Sequence, residues 1–227
     1  MASVGGRAEW GTESSAVTGR RWRSAGLPER TVMSNTWREN SGLLVLRAGV
    51  GGVLVAHGVQ KLFGWLGGHG LAGTGAAFEQ MGFQPGRQAA LAAGLGEAGG
   101  GVLIALGLAT PAAGAAAVGT MIPATAVHAP SGFFATGGGY EYPALLGVSA
   151  AALTLVGPGD WSLDARLGHR LNQPWLAAAA IIASSAVSLA IVHRRRQVLA
   201  DRAAEAVSQS TQGALADSPA PVDTEAS

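Results

Sequence analysis

The chain has no cysteine, a single lysine (Lys61) and few charges: 13% of its 227 residues are Asp, Glu, Lys or Arg, and 6% are aromatic. Without thiols it forms no disulfide, offers no thiolate to a metal and carries out no thiol redox chemistry of its own. That absence is compatible with either redox side of a membrane. The formal charge of +1 provides no basic surface for nucleic acid, which is not expected as a partner.

What is present is apolar. Hydrophobic residues make up 48% of the chain and Gly contributes 35 residues. Low charge with several long apolar runs argues for a polytopic membrane protein, since a spanning helix needs about 20 mostly apolar residues. Runs at 43–66, 88–109, 112–129 and 140–157 form a four-helix membrane core within residues 42–168, and 174–193 reads as a fifth transmembrane helix. The expected fold is therefore all-α, a helix bundle whose surroundings are the lipid bilayer. Residues 1–41 and 194–227 are polar and are expected to be disordered tails. Met33 offers an alternative start. Arg20–Arg21 lacks the adjoining apolar stretch and small-residue cleavage site of a twin-arginine signal.

The first run, LLVLRAGVGGVLVAHGVQKLFGWL, carries Arg47, His57 and Lys61. Each charge at a membrane centre costs about 2.5–3.5 kcal/mol on insertion scales, so three ionisable groups on one span need partners. Arg47 and Lys61 fall within about 40° of each other on an ideal helix, and His57 and Lys61 sit one turn apart. The stripe should face protein. Fourteen of the fifteen basic residues are Arg. Unlike Arg, the lone Lys can lose its proton when desolvated or act as a compact point charge.

The remaining runs supply the partners. Glu97 lies in the Gly-rich second run, Pro123 and His128 in the third, and Glu141 opens the fourth within YEYP. Phe78, Met81 and Phe83, between the first two runs, suggest a short segment at the interface. Let the far face be the one reached at the end of the first span. His57 and Glu97 then lie at one depth, about 13 Å inside it, with Lys61 nearer the face and His128 and Glu141 at it. His57, Lys61, Glu97 and Glu141 can converge there as a ligand-binding or proton site. The alternative is a buried ion-pair network that fixes helix register. His128 is expected to be interfacial and structural. In the other half, Arg47 has Asp160 and Asp164 as candidate structural ion-pair partners, or snorkels to the near face. A haem between His57 and His128 is disfavoured by their different depths, and His69, His169 and His193 lack metal-ligand spacing. No metal site is expected. Basic residues divide evenly between the two faces, so the positive-inside rule leaves the orientation open.

The stretch HGVQKLFG, followed by GWLGGHGLAGTGAAF, the glycines around Glu97, GGGYEYPALL and GPGDWSLD, resembles the DoxX family of bacterial membrane proteins. The resemblance spans about residues 42–168, and its motif positions fall on Arg47, His57, Lys61, Glu97 and Glu141. It implies a multi-pass protein of the bacterial plasma membrane, a subunit of a quinone-linked oxidoreductase or oxidative-stress complex. A bound quinone and a redox partner subunit would supply what the chain lacks. A non-catalytic scaffold or small-molecule carrier is the alternative.

Overall fold

The computed structural model describes residues 29–216, with side chains over 36–213. Seven α-helices follow one another: α1 (Glu29–Phe63), α2 (Gly70–Gln80), α3 (Gly86–Leu106), α4 (Thr110–His128), α5 (Glu141–Val156), α6 (Leu163–Arg166) and α7 (Pro174–Ala216). Thr36–Phe63, Gly86–Leu106, Thr110–Ser131 and Pro174–Gly213 are each long and apolar enough to cross a membrane, and Glu141–Val156 is a shorter apolar helix. The short helix α5 links the loop after α4 to the turn that meets α1. It starts against the loop that follows α4, where Glu141 N donates to Phe133 O. It ends at Pro158, whose carbonyl meets the near-face half of α1. The chain is an all-α, multi-pass membrane protein.

The helices end where the residue types dictate. Gly64 takes a left-handed conformation after α1 (φ 75°) and Gly107 does so after α3 (φ 61°), a geometry that glycine adopts without steric cost. α2 is a short helix where a short segment between the first two runs was expected. It lies between spans, against α3, and joins it through the elbow 81–85.

Glycine also decides how closely the helices approach. On α1, Gly51 and Gly58 are seven residues apart, as are Gly94 and Gly101 on α3. A Cβ on Gly58 would strike the backbone of Ala98, one on Gly101 would come within 2.6 Å of Gly51 O, and one on Gly94 would press on Leu62. Such close approach is how membrane helices gain packing energy in lipid, where the hydrophobic effect gives little. Leu54, Ile104, Ala117, Met121, Leu146 and Leu153 fill the centre of the bundle. Val45, Leu145, Val148, Leu155, Val156 and Ile182 point outward, each more than 60% exposed, as lipid-facing residues should.

Two expected tails are helical where the structure describes them. Residues 29–41 continue α1 rather than forming a disordered segment. Asn40 is buried and exchanges two hydrogen bonds with Asp160, donating to its carboxylate (3.0 Å) and accepting from its N–H (2.8 Å). Trp37 packs edge-on against Trp161, with ring centroids 6.1 Å apart. The loop after α5 thus supplies partners for a stretch too polar to read as a span. At the other end α7 does not stop at 193 but runs on to Ala216, its extension docked on the α2–α3 elbow. The expected tails at 1–28 and 217–227 lie outside the described residues.

α7 itself packs on α4 through small polar side chains. Ser184 Oγ donates to Ala115 O at 2.5 Å and Ser188 Oγ to Gly119 O at 2.8 Å. Each serine satisfies its hydroxyl on a helix carbonyl, and each is short enough to keep the two backbones close.

Candidate functional site

The close glycine contacts between α1 and α3 bring the last turn of α1 beside the middle of α3. There the Lys61 ammonium donates to Glu97 Oε2 at 2.5 Å. The Glu97 side chain is 4% exposed and that of Lys61 22%. A carboxylate this deep is stable as an ion only beside a cation, and the pair leaves one oxygen of Glu97 and two N–H groups of Lys61 for another partner.

Both residues line a cavity of about 450 Å³ at the far-face end of the bundle. Its walls are otherwise mainly apolar, with Phe78 on α2, Met81 and Phe83 on the elbow, alanines of α3 and α4, and Ile191 of α7. Thr120 and His128 of α4 are the remaining polar liners. Thr120 Oγ1 is committed to Ala117 O at 2.9 Å. His128 Nδ1 lies 2.8 Å from Gly138 O. A carbonyl only accepts, so Nδ1 carries the proton and Nε2 is the other hydrogen-bonding position of the ring. The result is an apolar chamber with a Lys–Glu pair in one wall and an imidazole at the rim, of a size ordinary for small-molecule sites.

The other candidates fall elsewhere. His57 does not line the cavity. Its Nε2 is 3.2 Å from the Tyr142 hydroxyl and the two rings pack at 5.6 Å, joining α1 to α5. Glu141 does not reach Lys61 either, because its carboxylate accepts from Ala135 N at 3.0 Å and holds the loop before α5. The far-face group therefore separates into a Lys61–Glu97 pair in the cavity wall, a His57–Tyr142 pair, and Glu141 in a loop-closing role. His128, expected to be interfacial and structural, is a cavity residue. Phe78 and Phe83 could be suspected from their place in an amphipathic linker, whereas nothing in the featureless α7 run marks Ile191.

At the near face Arg47 is buried at 2% exposure. It forms no ion pair with Asp160 or Asp164, the expected partners. Its Nη1 donates to Pro158 O at 2.7 Å and its Nη2 to Trp161 O at 2.6 Å. Both carboxylates are engaged elsewhere. Asp160 is bound by Asn40. Asp164, fully buried, accepts from Ala109 N (2.9 Å), Thr110 N (3.0 Å) and Thr110 Oγ1 (2.8 Å). Asp164 thereby caps the N-terminus of α4, where orphan N–H groups favour an anion. The turn after α5 points its carbonyls at Arg47, so carbonyl dipoles replace the counter-charge. Gly107 sits against the guanidinium and leaves no room for a Cβ.

Among the described residues no group of three His, Asp or Glu side chains is placed to hold a metal ion. No curated protein and no solved structure matches the chain. Residues 42–130, which contain Arg47, the Lys61–Glu97 pair and the cavity wall of α2–α4, match the DoxX family model, and over this region the chain is similar to that family.

Proposed function

We propose that the protein is a membrane subunit of a quinone-linked oxidoreductase or oxidative-stress complex of the bacterial plasma membrane, and that it holds a quinone headgroup in the cavity beside Lys61. The observation that carries this reading is the pairing of a largely apolar chamber of about 450 Å³ with a single buried Lys–Glu pair in its wall. Apolar walls suit the ring and its isoprenoid chain. Lys61 is a donor for a carbonyl or phenolate oxygen, and Glu97 keeps the ammonium in place and can hold or release a proton. His128 offers a second hydrogen-bonding position at the rim. A quinone, when bound, supplies electron and proton transfer that no side chain here performs. A partner subunit would deliver the electrons, since this sequence has no thiol.

The alternative is a non-catalytic carrier or scaffold. It is favoured by one observation: α7 continues far past the cavity as an exposed helix that could anchor a soluble partner.

The test is to purify the full chain in mild detergent, extract it with solvent and assay for quinone. Near-stoichiometric quinone that is lost in Lys61→Ala and weakened in Glu97→Gln supports the site. No quinone in the wild-type extract, together with unchanged activity of the complex in both variants, overturns it. Loss of partner co-purification on deleting 203–216 would support the scaffold instead.

A further inference from the structure

The cavity walls belong to two groups of helices. Lys61, Phe78, Phe83 and Glu97 come from the α1–α3 side, and Pro123 and Ile191 from the α4–α7 side. Near their connecting turn, α3 and α4 touch. A Cβ on Gly100 would lie 3.2 Å from Ala113 O, and one on Gly96 would lie 2.7 Å from Thr120 Cγ2. Beyond Gly96, toward the far face, the facing residues line the cavity instead of each other. The cavity is thus a cleft closed at its near end.

At its far end the two sides are joined by the part of α7 that follows the apolar run 174–193. Arg195 Nε donates to Met81 O at 2.8 Å, and its guanidinium carbon lies 5.5 Å from the centre of the Phe83 ring. Arg202 Nη1 donates to Glu79 O at 3.0 Å and Gln80 O at 3.3 Å. Leu199 packs on Gly82, where a Cβ would come within 3.0 Å of its Cγ. Spacings of four and three residues put Arg195, Leu199 and Arg202 on one face of the helix. Ser184 and Ser188 meanwhile fix α7 to α4.

We propose that residues 195–202 of α7 are a releasable latch over the far-face end of the cleft, and that the cavity exchanges an apolar or amphiphilic ligand with the far-face interface when this latch lets go of the elbow. The bonds involved are suited to release. The acceptors are the carbonyls at the C-terminal end of α2 and of its cap Met81, of which Glu79 O also accepts from Gly82 N at 3.1 Å, and at an interface water takes over such carbonyls. The Arg202 contacts are already solvent-exposed. Opening strands no buried polar group. Met81 and Phe83 are both latch partners and cavity walls, so release moves the wall itself. The proposal concerns access and holds whatever ligand the cavity takes.

The natural absence of cysteine makes a clean test available. Full-length protein in lipid nanodiscs carries one reporter thiol: Ala93→Cys in the cavity wall, Ser131→Cys on the exposed far-face loop, or Val118→Cys in the core. Labelling by a small, membrane-impermeant methanethiosulfonate is followed over time. With the latch intact, Ala93→Cys should label at least tenfold more slowly than Ser131→Cys. Arg195→Ala with Arg202→Ala should accelerate Ala93→Cys at least tenfold and leave Val118→Cys unlabelled. Arg202→Ala alone, which removes only exposed contacts, should give a smaller acceleration at an unchanged melting temperature. An Ala93→Cys rate indifferent to both arginines, one equal to Ser131→Cys from the start, or a matching rise at Val118→Cys would each overturn the latch.

Discussion

Lys61 and Glu97, thirty-six residues apart in the chain, meet at 2.5 Å in the wall of an apolar cavity. Among the described residues neither has a second ion-pair partner within 4 Å: His57 is turned toward Tyr142, and Glu141 is held by the loop after α4. The pair therefore stands or falls together.

Removing one member should cost more than removing both. Lys61→Met leaves a buried, unpaired carboxylate, and loss of one partner of a buried pair typically costs about 3–5 kcal/mol. Lys61→Met with Glu97→Leu removes both charges and should recover most of that stability. Unfolding in detergent, followed by circular dichroism, measures the cycle. A double variant as unstable as the single would show that the pair does not behave as a coupled unit.

Arg47 should tolerate no substitute. Its fork reaches two carbonyls of the turn after α5 at once, and lysine, with one ammonium, cannot reproduce that geometry. Arg47→Lys should lose about one charge-assisted hydrogen bond, 1.5–3 kcal/mol, and Arg47→Leu more, because it strands both carbonyls. The readout is the thermal midpoint in detergent. A Lys variant as stable as wild type would contradict the bidentate anchoring.

Asp164 acts on α4 rather than on Arg47. Asp164→Ala removes the acceptor from three bonds to Ala109 and Thr110. It should destabilise by at least the 0.5–2 kcal/mol of a lost helix cap. Hydrogen exchange should rise first in the amides of residues 109–113. Protection lost instead across α1, with α4 unchanged, would mean that Asp164 serves Arg47 after all.

Two glycines on α1 should respond in opposite ways. Gly58→Ala forces a methyl into the Ala98 backbone and should split α1 from α3, lowering the yield of folded protein severalfold. Gly52 has nothing within 4 Å of its missing side chain. Gly52→Ala should therefore be neutral or stabilise by up to about 1 kcal/mol. Size-exclusion yield and melting temperature check both. Equal damage at the two sites would rule out the close-approach explanation.

The apolar runs announced the four helices long and apolar enough to cross a membrane and the shorter apolar helix α5. They placed the ends of the first two at 66 and 109, past Gly64 and Gly107, where α1 and α3 in fact stop. The two helical extensions were not readable. Nothing in their own residue pattern calls for a helix, and what holds them is remote: Asn40 to Asp160 on one side, Arg195 to Met81 on the other. Depth along the spans placed Lys61 and Glu97 in the same half of the bundle, although it set His57 rather than Lys61 level with Glu97. It did not separate them from His57, because depth does not report rotation about a helix axis, and the rotation of α5 gives His57 to Tyr142. Arg47 was expected to seek a carboxylate. Backbone carbonyls are present at every residue, so no residue type signals where a turn will aim them. The same blindness to rotation hid His128 as a cavity residue.

The manner in which Arg47 is held has a consequence for acidity. A guanidinium stays protonated at any pH a cell meets, and the carbonyls of Pro158 and Trp161 have no proton to gain or lose. The direct link between α1 and the turn after α5 is therefore indifferent to acidification. The opposite end is held differently, by an ion pair in which the Lys61 ammonium and the Glu97 carboxylate each depend on the other's charge.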